Sequence, residues 1–183
     1  MKRANSILAL FITVLLSGPG MATSAFAKTF NLKKLGSVEL TVPSHWQEVT
    51  DMIGMPLMIL GPDNGATRPV LSVIPTGNTQ IKFDPTGLAA TQEDFKKGRI
   101  AYVEGHDGEV LSFDSYRKES WKGVSEVHAI GVHYEMNDTE YNEQSYYVVC
   151  KDKLYFLKTL IRSQDEKLYG STLTTALRSF TCS

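Results

Sequence analysis

The stretch QSYYVVCKDKLYFLKTLI, residues 144–161, decides how the rest of the chain reads. Two runs rich in Tyr, Val, Leu and Phe flank a polar Lys151-Asp152-Lys153 break. Aromatic and β-branched residues suit a pleated, half-buried backbone. A short polar break between two such runs predicts an antiparallel hairpin. Tyr146 and Tyr147 are adjacent, so they point to opposite faces of their strand, one into the core and one outward.

Upstream, GEVLSFDSYRKESW (residues 108–121) and GVSEVHAIGVHYEM (residues 123–136) have the same strand character, with Gly-, Asn- and Asp-rich separators. Earlier still, PLMILGPDNG (56–65) and RPVLSVIPTG (68–77) are short apolar runs bounded by Pro and Gly, with Asn64-Gly65 as a turn signal. Their continuous apolar character predicts burial on both faces. In FNLKKLGSVELTVPSHWQEV (30–49), Val38, Leu40 and Val42 alternate with polar residues, Pro43 stops the strand, and Trp46 belongs in the core.

Two segments break the strand pattern. Leu88, Phe95 and Tyr102 recur seven residues apart and predict a helix over much of residues 86–103, with its N-terminal boundary left open. Asp84-Pro85 is one start signal for it, and Thr91 with Asp94 is a second. At the C-terminal end, Tyr169, Leu173, Ala176 and Phe180 fall on one helix face, and Ser163 with Glu166 reads as a capping box. That face needs a sheet to cover. The fold class expected is α+β, a central antiparallel sheet flanked by helices.

Residues 1–27 carry Lys2 and Arg3, an apolar stretch from Ile7 to Leu16 and an Ala25-Phe26-Ala27 end. This is the layout of a cleaved export signal, and the apolar stretch is short for a membrane span. Residues 28–183 then form a single domain with 17 basic and 20 acidic residues. No basic cluster stands out, so nucleic acid is not an expected partner, and no stable membrane insertion is expected after cleavage. The location expected is the periplasm of a Gram-negative bacterium, or the exterior.

In an oxidising compartment Cys150 and Cys182 are expected to form a disulfide that closes a loop of about 30 residues and contributes roughly 3–4 kcal/mol. It would pin the final helix to the sheet edge. The alternatives are two buried thiols or a redox pair, although the Cys-x-x-Cys spacing is absent.

Glu126, His128, His133 and Glu135 are the candidate site residues. The apolar phase slips by one between Ala129 and Ile130, beside Gly131, which reads as a β-bulge. With that slip absorbed, all four polar residues share one solvated face. The two histidines would still stand roughly 13 Å apart along the strand, too far to ligate one zinc ion. No catalytic residue, metal or cofactor is expected. Gly-x-Ser-x-Gly, Gly-x-Gly-x-x-Gly and P-loop patterns are all missing, and GHDGE (105–109) reads as a turn.

In this order the elements resemble the PsbP-like domains. VELTVPSHW matches their strand followed by Pro-x-x-Trp, and the two apolar runs, the central helix, the meander and the closing LTTALRSF helix follow. The resemblance spans roughly residues 30–183. It implies an α/β/α sandwich and a non-enzymatic binding or assembly role, with no catalytic set to carry over. The function expected is an exported accessory protein acting on another envelope protein, including an inhibitor or immunity factor. The alternatives are a small-ligand or lipid carrier, and a hydrolase using His128 or His133.

Overall fold

The computed structural model describes residues 25–182 except 33–35, 53, 64, 66, 77–84 and 152. Residues 1–24, most of the stretch expected to be an export signal, lie outside the described residues, together with Asn64, Asp84 and Asp152 and the Leu88 side chain.

In chain order the elements are β1 (Ala25–Asn31), β2 (Ser37–Pro43), β3 (Gln47–Met52), β4 (Met55–Leu60), β5 (Val70–Pro75), α1 (Pro85–Glu104), β6 (Glu109–Phe113), β7 (Arg117–Glu119), β8 (Glu126–Met136), β9 (Thr139–Cys150), β10 (Lys153–Arg162), α2 (Glu166–Arg178) and β11 (Thr181–Cys182). The 144–161 hairpin forms as expected, with Lys153 opposite Cys150 and Arg162 opposite Tyr141. It sits inside an eight-stranded antiparallel sheet ordered β3-β4-β5-β10-β9-β8-β6, with β7 also on β8. A second sheet, β1-β2-β11, has three strands. Its first strand is not among the sequence expectations, and its start, Ala25 to Ala27, falls in the stretch expected to end the export signal.

Each face of the large sheet carries a packed layer over part of its extent. On one face α2 and the small sheet bury Val38, Leu40, Leu57, Ile59, Val127, Val148, Leu157, Leu173 and Phe180 in one core. On the other, Val103 of α1 packs with Val132, Tyr134 and Tyr141, with Phe95 beside them. The layers are thus helix, sheet, then helix with a small sheet, an α+β architecture of the kind expected. Each fully buried aliphatic side chain contributes roughly 1.5–3 kcal/mol of transfer free energy. Trp46 lies in the core as anticipated. Tyr102, expected on the apolar face of α1, is 44% exposed, and Val103 beside it makes the contact instead.

Three local expectations change. The bulge is not in β8, which pairs with β9 without a break from Glu126 opposite Val149 to Met136 opposite Thr139. It lies in β6, where Leu111 is the extra residue between Val110 opposite Tyr134 and Ser112 opposite His133. The capping box does not form either. Ser163–Asp165 is a 3₁₀ turn, so the N-cap of α2 falls on Asp165, and neither that turn nor α2 has a side-chain cap at its start. Asp165 accepts a hydrogen bond from buried Arg162 Nε at 2.6 Å, and Glu166 accepts one from Asn142 Nδ2 at 3.2 Å. Finally, the Cys150–Cys182 disulfide forms, with Cα atoms 5.8 Å apart, and the sheet edge it reaches is that of the small sheet, where β11 is an outer strand, not that of the large one. β9 is an interior strand of the large sheet and β11 pairs with β2, so the bridge ties the two sheets together.

Candidate functional site

Because β8 runs without a slip, parity sorts its polar residues onto two faces. Glu126 and His128 share the α1 face with Ile130, Val132 and Tyr134, whereas His133 and Glu135 share the α2 face with Val127 and Ala129. The single solvated face expected for all four does not exist, and the two histidines cannot serve one ion. Among the described residues no group of three His, Cys, Asp or Glu is placed to hold a metal.

His128 is 2% exposed. Its ring stacks on Tyr116 at 5.8 Å, its Nδ1 is hydrogen-bonded to the Tyr116 hydroxyl, and its Nε2 lies 3.2 Å from Glu126 Oε1. Glu126 in turn pairs with Lys118. The space beside this ring, lined by Thr91, Gln92, Tyr116, Ile130 and Tyr147, measures about 10 Å³, room for one water at most. Burial holds the His128 pKa below its ordinary 6.5, against the pull of Glu126. The unfolded chain therefore binds more protons than the folded one just below that value. The stabilisation is complete above about pH 6.5 and is lost as pH falls toward the depressed folded value. His128→Gln should remove this part of the acid sensitivity. Urea midpoints at pH 7.5 and 5.5 test it: equal pH losses in wild type and variant would rule it out.

The α2 face holds a larger construction. His133 Nε2 lies 3.2 Å from Asp114 Oδ1, and Gln144 Nε2 donates to Asp114 Oδ2 at 2.5 Å. Arg117 Nη2 donates to Gln144 Oε1 at 2.9 Å and to the Tyr146 hydroxyl at 3.3 Å. Arg117 Nε donates to Glu119 Oε1 at 2.8 Å, and Trp121 Nε1 to Glu119 Oε2 at 2.8 Å. One chain of hydrogen bonds thus crosses from β8 to the loop after β7. Burial pushes the Glu119 carboxyl up, but the bonds from Trp121 and Arg117 outweigh it, so its pKa lies below the usual carboxylate range.

Gly131 makes this network possible. A Cβ there would run into Gln144 Nε2 and Asp114 Oδ2, and the Asp114 N–H donates to the Gly131 carbonyl at 3.0 Å. The glycine read as a bulge is a gap for two side chains. Asp114, Arg117 and Gln144 were not singled out in the sequence, since each is an ordinary polar residue and only the strand register joins them.

Beyond His133 the α2 face of β6, β8 and β9 opens to solvent. Glu109 lies opposite Glu135, and Glu135 opposite Glu140, so three exposed carboxylates line up across three strands. Ser112, His133 and Asn142 form the next row. The shallow groove beside α2, bordered by Asn142, Gln144, Thr159, Glu166 and Leu173, offers about 60 Å³. Ligand pockets usually offer roughly 300 Å³ or more. The His133–Asp114 pair could orient an imidazole for proton transfer. Chemically the face suits recognition: fixed, directional polar groups on rigid strands.

No protein-family model matches this sequence, nor does any curated protein. Similarity appears among solved structures. Cyanobacterial PsbP (CyanoP) from Synechocystis sp. PCC 6803 superposes with a TM-score of 0.60 at 17% identity, over 92% of this chain and 99% of that one. LpqN of Mycobacterium tuberculosis, described as involved in cell envelope biogenesis, gives a TM-score of 0.55 at 15% identity, over 86% of this chain and 90% of that one. No helix among the described residues is long and apolar enough to cross a membrane. At these identities the likeness concerns the fold alone: the chain has a PsbP-like α+β fold.

Proposed function

We propose that the chain is an exported, non-enzymatic accessory protein that binds another envelope protein through the open face of β6, β8 and β9. The observation that carries this reading is the Glu109–Glu135–Glu140 row. Like charges directly opposite on neighbouring strands are destabilising, by roughly 0.2–1 kcal/mol per pair. A row of three gives up stability unless an incoming cationic surface compensates it. The neighbouring Asp114–Gln144–Arg117 network supplies fixed hydrogen-bonding groups that favour one geometry of approach. The export signal read in residues 1–27 and the envelope role printed for LpqN, a protein of the same fold, support an envelope setting. A second reading rests on the His133–Asp114 pair, which would make His133 a general base for a substrate-borne nucleophile.

Charge reversal tests the first reading. Glu135→Lys places a cation between Glu109 and Glu140, so it should leave stability unchanged or raise it by a few tenths of a kcal/mol. The same variant should lose a partner that wild type captures by mild crosslinking in its own envelope and that added salt releases. Capture that Glu135→Lys leaves intact, or a wild type that captures nothing, would count against the proposal. Loss of a measured hydrolytic activity on His133→Ala, with no partner found, would favour the second reading.

A further inference from the structure

Met52, Met55 and Met58 are spaced three apart in the sequence. The fold separates them. Met52 and Met55 are direct partners across the β3–β4 hairpin, so their side chains leave the same face, with Cβ atoms roughly 4.5–5.5 Å apart. They are 51% and 38% exposed. Met58 is three positions beyond Met55 on the same strand, hence on the opposite face, and is 8% exposed. The hairpin tip is open, since a Cβ at Gly54, whose φ is 75°, would meet nothing within 4 Å.

Long unbranched thioether side chains are flexible, so two sulfurs starting that close can converge on a single ion. The chemistry of the donors then selects the ion. Both cysteines are in the disulfide and none is free, which leaves thioethers as the softest donors of the described domain. Thioether sulfur prefers Cu(I) to harder ions. We propose that Met52 and Met55 form a two-thioether site at the β3–β4 tip for a soft monovalent ion, Cu(I) or its redox-inert analogue Ag(I). Met58, despite its place in the sequence repeat, is not a ligand, because strand parity turns it to the other face. The site is independent of the acidic row and of the partner proposed above.

The test uses the folded, oxidised protein labelled with ¹³C at the methionine methyls and titrated with silver nitrate in a chloride- and thiol-free buffer. The Met52 and Met55 methyl signals should move together and saturate at one equivalent of Ag(I), while those of Met58 and Met136 stay in place. Met52→Leu and Met55→Leu should each weaken binding at least tenfold, and Met58→Leu should leave it unchanged. Leucine conserves volume and apolarity, so the hairpin is retained. The proposal is overturned if the Met52 and Met55 signals do not move at about 1 mM free Ag(I), the scale of a weak site. It is equally overturned if imidazole signals respond while these two do not.

Discussion

Arg99→Ala is expected to destabilise the protein by about 3 kcal/mol, the lower end of the cost of stranding a buried charge, because Lys158 Nζ remains 3.6 Å from the Glu143 carboxylate. Glu143 is 1% exposed in the middle of β9, and its cross-strand neighbours are Val132 and Leu160. An ionised carboxylate in that setting needs a partner at close range. Arg99 Nη2, reaching down from α1, lies 2.8 Å away, and Lys158 Nζ lies 3.6 Å away. The Arg99 guanidinium also stacks over Tyr102 at 4.6 Å and faces Tyr134 at 5.9 Å. Lysine cannot reproduce that planar stacking, so Arg99→Lys should recover only part of the loss. Urea unfolding measures the effect: at a slope of about 1–3 kcal/mol/M the midpoint should drop by roughly 2 M. Adding Glu143→Leu to Arg99→Ala should restore most of it, because no buried carboxylate then remains. A loss under about 1 kcal/mol for Arg99→Ala, the range of an exposed pair, would show that water already reaches Glu143.

Glu143 also shows where sequence reasoning runs out. The strand periods around residues 144–161, the amphipathic face of α2 and the helix over most of residues 85–104 are local signals, and they lead to the right elements and layers. A buried glutamate flanked by Asn142 and Gln144 looks locally like a solvent-facing position. Its burial follows only from α1 crossing that face. His128 failed for the same reason. Val127 to Val132 is apolar at every position but His128 and Gly131. Read with the logic applied to residues 56–60, that run predicts a strand covered on both faces, with a buried histidine in it. Treating it as a one-sided strand forced a phase slip at Ala129–Ile130, and the slip then placed four polar residues on one face. The same error hid the acidic row, since only an unbroken register puts Glu135 between Glu109 and Glu140.

The small sheet was illegible for another reason. β11 is two residues long, and its pairing with β2 spans almost the whole domain in sequence. No local pattern announces such a strand. What the sequence did offer was the cysteine count, and the bridge is what holds this distant element in place.

Replacing both cysteines, Cys150→Ala with Cys182→Ala, is therefore expected to cost about 3–4 kcal/mol through chain entropy alone, given a separation of 32 residues. Alanine is the better replacement, since Cys150 is 4% exposed and a serine there would bury a hydroxyl. The structure adds a local component to this global one. β11 holds β2 by only two pairs, Thr181 with Glu39 and Cys182 with Val38. Once the bridge is gone, two pairs cannot keep the end of the chain ordered. The helix before it should stay, because Phe180 is fully buried against Tyr155 at 5.5 Å and the Thr41 N–H donates to Ser179 Oγ at 2.7 Å. Hydrogen exchange separates the two components. Amides at the β2–β11 pairing should exchange far faster in the variant, whereas those of β9 and β10 should slow or quicken only with the global stability. If α2 opened together with β11, the bridge would be holding the helix itself, as the sequence first suggested, and the sheet-to-sheet role assigned here would be wrong. The same comparison bears on compartment. A chain folded under reducing conditions is the less stable form, so the full stability of this fold is reached only where Cys150 and Cys182 can be oxidised.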